Sequence, residues 1–508
     1  MFAGGLVCGA LCLGAGVWVG GQWTERGSAD GDSSGCTAGD LVTTGRAESE
    51  AGEITAAADM AEIVSRETAV DSSQEKTEVY VWEDDLPACF DLREQGTAPT
   101  VPDQGTFGTC WAFASLGALE SSMPEAIRTS LSADHMSIRN SFGLGQNAGG
   151  DYSVSSAYLL GWQGPVAEAS DPYGDGYSPE NLEPVCHVQE IQVLKEKDYE
   201  AIKRAVYATG GVQSSFYMPQ TEGAERDRYY NEETYAFYYD GSLEANHDVV
   251  IVGWEDSYPK EKFVIEPEED GAFLCMNTWG ESFGDRGYFY ISYEDSRIGT
   301  ANVLYTGIER TDNYDRICQT DLCGWTGQLG YGSPKAWFAN VYEAVEDSSL
   351  EAVGFYATVP ETSYKVYVAV CEDGERLFVD GTGKNSAGMV KNEQSGSERI
   401  LAAEGQFDNA GYYTVTLDGA AGKPGGAERK DALKLAAGET FAVIVELDSP
   451  GTTEPVAVEY AAGERTAKVD IGDGEGYVSP DGEYWQRTET ELQCNVCLKA
   501  YLRYPETP

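Results

Sequence analysis

The sequence predicts an α+β domain with a helical half and a sheet half, followed by an all-β sandwich. A helix-like run spans residues 110–123 and is ended by Pro124, whereas strand-like runs at residues 248–254, 272–276 and 287–293 come much later. Helix first and strands later is typical of an α+β fold. After about Ile308, short segments rich in Val, Tyr, Phe and Thr are separated by glycine-rich turns, which is typical of a sandwich.

Length and charge limit the classes of protein to which the chain can belong. Its 508 residues exceed one ordinary domain, and a hydrophobic content of 42% provides material for packed cores. The 85 acidic residues outnumber the 34 basic ones, which gives a formal net charge of −51. Because contacts to phosphate need clustered Lys and Arg, we expect no nucleic-acid partner and no binding to an anionic membrane surface.

Changes in composition divide the chain into four regions. Residues 1–23 are apolar and glycine-rich, which predicts a signal peptide or N-terminal anchor, although the usual basic start is missing. Residues 24–85 are acidic and rich in Ser and Gly, as expected of a mostly disordered linker or pro-segment. Residues 86–308 carry the α+β pattern, and residues 309–508 carry the β pattern. We therefore expect a secreted or cell-surface protein that contacts a membrane only through such an anchor.

The strongest chemical signal is a cysteine at the first position of the predicted helix. Cys110 follows a loop that contains Gly105 and Gly108. Unpaired N–H groups and the helix dipole favour a thiolate at this position, so the sequence predicts a lowered pKa for the Cys110 thiol. A thiolate is the nucleophile that acyl transfer requires.

Such a cysteine needs an imidazole partner, and the chain has three histidines. His247 stands at the mouth of the apolar strand predicted for residues 248–254. A scaffold-held general base or acid requires this kind of placement. His135 and His187 lie in polar or loop surroundings, and we expect them to be surface or structural residues.

Three further residues complete the predicted site. Asn277 can accept a hydrogen bond from the imidazole N–H through its amide oxygen, and the nearby Trp279 can shield that contact from water. Gln104 can direct an amide N–H at a developing oxyanion, beside the backbone N–H of Cys110. The acidic surroundings should favour the imidazolium, which predicts a raised pKa for His247.

Together these residues resemble the papain-like cysteine peptidases, in particular a bacterial branch with a C-terminal lectin-like domain. In the family pattern the His and Asn follow the Cys by roughly 130–150 residues. His247 falls within that interval and Asn277 beyond it, which predicts an inserted, solvated surface loop at residues 256–271. Three shorter blocks are also similar to the family's conserved segments, at residues 90–93, 131–136 and 171–173. The resemblance implies two lobes, one helical and one a β-barrel-like sheet.

The resemblance also implies the residues that bind substrate. Gly149 and Gly150 would line the cleft and pair with an extended peptide, and Trp279 and Asn246 would contact it. The implied activity is that of a cysteine-type endopeptidase acting through a Cys110 thiolate and His247 imidazolium, with no cofactor and no metal.

The chain departs from the family pattern at four places. Phe107 stands where many members have a disulfide-forming cysteine, and Thr278 and Phe283 replace a Ser and a Trp. The helical inhibitory propeptide of the family is not evident in residues 24–85. None of these changes removes a candidate catalytic group.

Two other functions are compatible with parts of the sequence. One is a non-catalytic surface adhesin or glycan-binding protein with a peptidase-like domain, and the other is a transglutaminase-type acyl transferase, which shares the order Cys then His. The presence of Gln104, Cys110, His247 and Asn277 together favours the peptidase, whose partners would be protein and peptide substrates. The C-terminal β-domain would then direct the enzyme to substrates, to a surface or to glycans.

The spacing of the cysteines in the β-region raises the question of a metal. Cys318 and Cys323, and likewise Cys494 and Cys497, have spacings that zinc sites use. In an exported β-domain, disulfides or free thiols are the favoured interpretation. The acidic residues of 256–271 lack the ligand spacing of an EF-hand calcium loop. We therefore predict no metal.

Overall fold

The computed structural model describes residues 86–219, 224–371, 399–418, 433–472 and 475–505, together with three short strands outside these ranges. Two of the short strands, β1 (Gly16–Val19) and β2 (Gln22–Glu25), form an antiparallel pair. The export segment predicted for residues 1–23 and the linker predicted for residues 24–85 otherwise lie outside the described residues. Within the described part, none of the helices combines the length and the apolar run that a bilayer crossing requires.

Residues 86–308 form the predicted helical half and sheet half. The helix predicted at residues 110–123 is confirmed, and its residues are buried from Cys110 to Ser121. This burial explains why the helix carries a single charged side chain, Glu120. The helices are α1 (Leu92–Gln95), α2 (Cys110–Ser122), α3 (Ala133–Arg139), α4 (Tyr152–Leu160) and α5 (Tyr199–Ala208), with 3-10 turns at Glu125–Ile127, Gln146–Ala148 and Lys260–Lys262. The strands are β3 (Cys89–Asp91), β4 (His187–Leu194), β5 (Val212–Phe216), β6 (Tyr230–Asn231), β7 (Ala236–Phe237), β8 (His247–Glu255), β9 (Ala272–Met276), β10 (Tyr288–Ser292) and β11 (Asn302–Glu309).

Strand pairing brings together two residues that are distant in sequence. β8 pairs antiparallel with β5 on one side and with β9 on the other, and His247 at its start lies opposite Phe216. Because β9 runs antiparallel to β8, Asn277, which follows the last residue of β9, lies near the start of β8. The sheet thus sets His247 and Asn277 side by side.

Residues beyond 309 form the predicted β-sandwich. Its strands are β12 (Arg316–Cys318), β13 (Gly327–Leu329), β14 (Lys335–Glu343), β15 (Ser348–Ala357), β16 (Thr362–Cys371), β17 (Val390–Lys391), β18 (Ile400–Phe407), β19 (Ala410–Thr416), β20 (Lys434–Leu435), β21 (Thr440–Asp448), β22 (Val456–Tyr460), β23 (Glu475–Ser479), β24 (Tyr484–Arg487), β25 (Cys494–Val496) and β26 (Leu498–Arg503), with a π-helical turn at Thr488–Leu492. A seven-stranded sheet of order β17-β24-β23-β14-β21-β16-β18 faces β15, β19 and β26 across a core that includes Phe338, Phe355, Val443 and Leu498. Strands β13, β22 and β25 form a separate small sheet.

The sandwich and the α+β half share one sheet and one core. β19 pairs antiparallel with β4, so the sheet of the α+β half continues into the sandwich as part of a 14-stranded sheet. Trp325, Tyr356 and Tyr412 belong to the same hydrophobic cluster as helix α2. The two regions therefore support each other's folding.

The loop at residues 256–271 differs from the prediction of a solvated insertion. Tyr258 and Phe263 are buried at 1% and 4% exposure, against Ala236 and Ala272. Two aromatic side chains thus anchor the loop while its charged residues remain at the surface. The sequence suggested a solvated loop because acidic residues dominate it, but two large aromatic side chains are enough to hold it against the sheet.

Candidate active site

An open cleft of about 980 Å³ lies between the helical and sheet halves. Cys110, the first residue of α2, reaches it from one side, and His247, the first residue of β8, reaches it from the other. The lining residues come from the loop before α2, from the turn before α4 and from the sheet half, and they are Gln104–Gly108, Cys110, Asn147, Pro219, Arg226, Tyr230, Glu232, Tyr235, Asn246, His247, Trp279 and Ser282–Gly284.

Backbone hydrogen bonds tie the two halves together beside the cleft. The Gln104 N–H donates to the Thr278 carbonyl at 2.8 Å, and the Gly280 N–H donates to the Pro102 carbonyl at 2.8 Å. These bonds connect the loop before Cys110 to the chain that follows Asn277. The relative position of the four candidate catalytic residues is therefore fixed by main-chain contacts as well as by side chains.

The hydrogen bond between His247 and Asn277 determines which imidazole nitrogen carries the proton. Asn277 Oδ1 accepts from the Thr278 N–H at 2.8 Å, which orients the amide, and it also lies 2.8 Å from His247 Nε2. An amide oxygen only accepts, so Nε2 donates. His247 Nδ1 is then the basic nitrogen that can take a proton from the thiol.

Aromatic rings cover this hydrogen bond. The Trp279 ring centroid lies 4.9 Å from that of His247, and Phe216 packs against the imidazole at 5.7 Å. Phe283, which stands where the family usually has a Trp, meets Trp279 edge-on at 5.1 Å. The replacement keeps an aromatic edge against Trp279, so the shielding predicted for Trp279 is present in the structure.

Gln104 is held firmly by its neighbours. Its Oε1 accepts from the Thr278 hydroxyl, and its Nε2 donates to the Phe107 carbonyl at 2.7 Å. A carboxamide nitrogen carries two N–H groups, so one remains for an oxyanion in the cleft. The Thr278 hydroxyl thus fills the role of orienting Gln104, and the change from Ser to Thr keeps it.

The predicted pKa shifts of the two reactive groups are wrong in direction. Burial, with a smaller contribution from the charge of Asp248, raises the pKa of the Cys110 thiol to about 12, although backbone N–H groups at the start of α2 oppose the shift. Burial lowers the pKa of His247 to about 4, against the effect of its bond to Asn277. Desolvation disfavours each charged form, and neither the helix dipole nor the net charge of the chain overcomes it.

The residues predicted to bind substrate lie around the cleft in different ways. Trp279 and Asn246 line it. Both polar atoms of the Asn246 side chain are bonded to the Met218 backbone, at 2.8 and 2.9 Å. Asn246 therefore positions the chain at the rim of the cleft. Gly149 and Gly150 are buried and do not line the cleft, but a Cβ atom at Gly108, which does line it, would lie 3.3 Å from the Gly149 nitrogen.

Sequence reasoning missed a buried carboxylate that follows His247 in the chain and whose charge contributes to the raised pKa of the Cys110 thiol. Asp248 is 1% exposed and accepts hydrogen bonds from Gln213 Nε2 at 2.9 Å and from Ser215 Oγ at 2.6 Å. An acidic residue in an otherwise apolar strand was the signal that could have identified it. The wall formed by Pro219, Arg226 and Tyr230 was also missed, because its sequence has no chemical pattern of its own.

The other two histidines are buried and structural. His135 Nδ1 lies 2.6 Å from the Tyr158 hydroxyl, and His187 stacks on Trp162 with ring centroids 3.7 Å apart. Of the two roles expected for them, surface or structural, the structure therefore shows the structural one. Neither lines the cleft that Cys110 reaches.

Within the described ranges, no group of three or more His, Cys, Asp or Glu residues is arranged to hold a metal ion. Eight cysteines of those ranges, whose side chains the structure describes, are free thiols, and they include Cys318, Cys323, Cys494 and Cys497. Of the interpretations considered for these four cysteines, the structure shows free thiols.

Comparison with known proteins identifies relatives of both domains. Residues 86–308 match the family described as papain family cysteine protease, and residues 317–502 match a lectin-like domain. Cathepsin S of Bos taurus is 30% identical over 236 residues, which is 43% of this chain and 63% of the cathepsin. Cathepsin K of Mus musculus is 28% identical over 216 residues, 41% of this chain and 60% of the cathepsin. The chain thus spans less than two thirds of the length of these relatives.

Two solved structures share the whole arrangement. The clostridial cysteine protease Cwp84 after propeptide cleavage superposes with a TM-score of 0.68 and 23% identity, over 82% of this chain and 99% of that one. The cysteine protease and lectin-like domains of Cwp84, a surface layer associated protein of Clostridium difficile, superpose with a TM-score of 0.65 over 82% and 89%. At this identity the likeness concerns the fold. Residues 86–308 thus match the papain family of cysteine proteases, and the fold is a papain-like domain followed by an all-β lectin-like domain.

Proposed function

We propose that this chain is a cysteine endopeptidase that hydrolyses peptide bonds with Cys110 as its nucleophile. The observation that carries the proposal is the 2.8 Å bond from His247 Nε2 to Asn277 Oδ1. It leaves Nδ1 as the proton acceptor of an imidazole that lines the same cleft as Cys110. A nucleophile, a base and a residue that orients the base are the elements of covalent acyl transfer.

The proposed reaction uses the side chains of Cys110, His247 and Gln104, with Asn277 orienting the imidazole. Cys110 Sγ attacks the scissile carbonyl carbon as its proton passes to His247 Nδ1. The resulting oxyanion accepts hydrogen bonds from the Cys110 backbone N–H and from Gln104 Nε2. His247 then protonates the leaving amine, which gives a thioester. Water then attacks the thioester carbonyl carbon as His247 Nδ1 takes one of its protons. The C–S bond breaks, the acyl group leaves as a carboxylic acid, and the Cys110 sulfur regains a proton from His247.

Burial affects how this reaction starts. Because burial disfavours the thiolate and the imidazolium separately, the proposed resting state is a neutral thiol beside a neutral imidazole. Proton transfer creates both charges together, and their attraction in a site of low dielectric offsets part of the desolvation cost. Backbone N–H groups at the start of α2 and at Asp248 favour the thiolate as it forms.

Replacement of Cys110 tests the proposal. Cys110→Ala is expected to abolish hydrolysis of a fluorogenic peptide library. Cys89→Ala, which removes an exposed thiol, serves as the matched control and should leave hydrolysis unchanged. Hydrolysis by Cys110→Ala at the wild-type rate would contradict the proposal. Incorporation of amines in excess of hydrolysis would instead favour the acyl transferase.

For the lectin-like domain we propose a targeting role outside the cytoplasm, with glycans as the chemical class of ligand. Two observations support it, the match of residues 317–502 to a lectin-like domain and the surface layer association of Cwp84. Binding of the Cys110→Ala chain to a glycan array tests the role. Glycan binding without hydrolysis of any peptide by the wild-type chain would favour the adhesin alternative, and no binding to any glycan would contradict glycan targeting.

A further inference from the structure

A loop of the lectin-like domain reaches the helical lobe of the papain-like domain. This loop comprises residues 461–470, between β22 and β23. The Gly143 N–H donates to the Arg465 carbonyl at 3.0 Å, and Lys468 Nζ donates to the Asn140 carbonyl at 3.3 Å. A Cβ atom at Gly143 would lie 2.5 Å from the Glu464 carbonyl oxygen, so the two segments are in close main-chain contact.

The Arg465 side chain makes two polar contacts with the papain-like domain. Its Nη2 donates to Asp151 Oδ2 at 2.7 Å and to Ser153 Oγ at 2.8 Å. The side chains of Arg465 and Asp151 are 33% and 12% exposed. Solvent therefore screens this ion pair less than it screens a pair at the open surface.

The same carboxylate also begins helix α4. Asp151 Oδ1 accepts from the Ser153 N–H at 2.9 Å and from the Ser153 hydroxyl at 2.6 Å. Asp151 thus uses one oxygen to cap the helix and the other to hold the lectin-like domain. Its position depends on both contacts.

Asp151 directly follows Gly149 and Gly150, the pair that the sequence resemblance predicts to bind an extended peptide. A Cβ atom at Gly150 would lie 2.5 Å from Trp111 in helix α2, and one at Gly108 would lie 3.3 Å from the Gly149 nitrogen. The glycine pair therefore lies between two segments. The loop before Cys110 and helix α2 contact it on one side, and Asp151 follows it on the other. A shift of Asp151 would move the pair.

We propose that Arg465 is a positioning residue for substrate binding, through which the lectin-like domain holds the Gly149–Gly150 edge in place for the extended peptide. The inference rests on the proposed peptidase function and adds to it that the lectin-like domain contributes to the peptide site itself. Arg465 touches no reacting atom. Its effect falls on peptides long enough to pair with the glycine edge, upstream of the scissile bond.

Kinetics with two substrates of different length test the proposal. The first is the best tetrapeptide amide that a library yields for the wild-type chain, and the second is an N-acetyl amino-acid nitrophenyl ester with the same residue at the cleaved bond. Arg465→Ala should raise KM for the peptide about 3- to 30-fold and leave kcat nearly unchanged. Ester hydrolysis and the rate of alkylation of Cys110 by iodoacetamide should stay at wild-type values, because the ester does not reach the glycine edge.

Matched variants separate positioning from folding. Arg465→Lys keeps one charged donor and should give an intermediate KM, while Asp151→Asn keeps the helix cap and should raise KM as Arg465→Ala does. The double variant should be no worse than either single one, since both remove the same ion pair. Lys335→Ala breaks an exposed ion pair with Asp448 elsewhere in the lectin-like domain and should change none of these values.

Two results would overturn the inference. One is an unchanged peptide KM in both Arg465→Ala and Asp151→Asn. The other is an equal fall of peptide and ester hydrolysis, which indicates general damage to the fold. A failure of the proposed peptidase function is distinct, because it would appear in the wild-type chain as hydrolysis that survives Cys110→Ala.

Discussion

His247 Nε2 donates a hydrogen bond to Asn277 Oδ1 at 2.8 Å, and the same oxygen accepts from the Thr278 backbone N–H. His247 is 3% exposed and Asn277 is fully buried. The amide can therefore neither rotate nor exchange its partner with water. This bond fixes the tautomer and the ring orientation that the proposed mechanism needs.

Loss of this bond should affect turnover more than substrate binding. Asn277→Ala is expected to lower kcat about 10- to 100-fold with little change in KM, because the imidazole loses its preferred orientation. Asn277→Asp, whose carboxylate can accept the same two hydrogen bonds, should lose less activity. Steady-state kinetics on one peptide compares the two variants, and equal kcat values in Asn277→Ala and the wild type would contradict the assigned role.

The pH dependence of kcat/KM should reflect the buried imidazole. Burial lowers the pKa of His247 to about 4, and protonation from the bulk would remove the base, so activity should fall only as the pH drops through about 4. The pKa of the Cys110 thiol is raised to about 12, so no alkaline loss should appear near neutrality. A stopped-time assay from pH 3 to pH 10 measures the profile, and an acidic midpoint near 6.5 would contradict it.

Trp279 should help to keep the acidic midpoint of kcat/KM at low pH. Its ring lies against the imidazole at 4.9 Å and excludes water, so Trp279→Ala should move the acidic midpoint of kcat/KM upward by about one pH unit. Trp279→Phe keeps an aromatic cover and should shift it less. If the two variants give the wild-type midpoint, shielding by Trp279 does not set the pKa of His247.

Glu120 should make stability depend on pH. Burial raises its pKa to about 8 in the folded protein, so the native state holds a proton that the unfolded state releases above about 4.5. Stability should therefore fall as the pH rises from about 4.5 to 8, by on the order of a few kcal/mol. Glu120→Gln, which can still accept from the Leu131 N–H, should remove this loss. Urea unfolding at pH 5 and pH 9 tests it, with the exposed Glu125→Gln as control.

The shared sheet predicts that the two domains unfold together. Gly411 in β19 has a φ of 146°, and a Cβ atom there would lie 2.1 Å from the carbonyl oxygen of Ile191 in β4. Gly411→Ala should therefore cost roughly 1–3 kcal/mol and lower the unfolding temperature of the papain-like domain as well. Gly472→Ala, at φ 156° with open space around it, is the control for the backbone effect. Independent unfolding of the two domains in calorimetry would contradict this prediction.

Much of the fold could be predicted because its patterns are local. The apolar run at 110–123 and the apolar strand after His247 are readable from neighbouring residues, and β9 has the predicted bounds Ala272–Met276. The candidate site residues were found from the same local patterns, since Cys110 begins α2, His247 begins β8 and Asn277 directly follows β9.

The remaining features depend on contacts between distant segments. Nothing in β19 indicates that its partner is β4, and the sequence around Arg465 gives no sign of Asp151. The pKa of Cys110 is raised and that of His247 is lowered, opposite to the predictions. The predictions used helix position and net charge, which are visible in a sequence, whereas the depth of burial is not. Tyr258 and Phe263 were assigned to a solvated loop for the same reason.

The most direct test of the central claim is to locate the covalent adduct of a peptidyl epoxide that reacts with nucleophilic thiols. Intact-mass and peptide-mapping spectrometry should show one adduct per chain, on Cys110, with loss of peptide hydrolysis in proportion to labelling. The adduct should form far more slowly in His247→Ala. Full hydrolytic activity in a chain whose Cys110 is completely labelled would contradict the account.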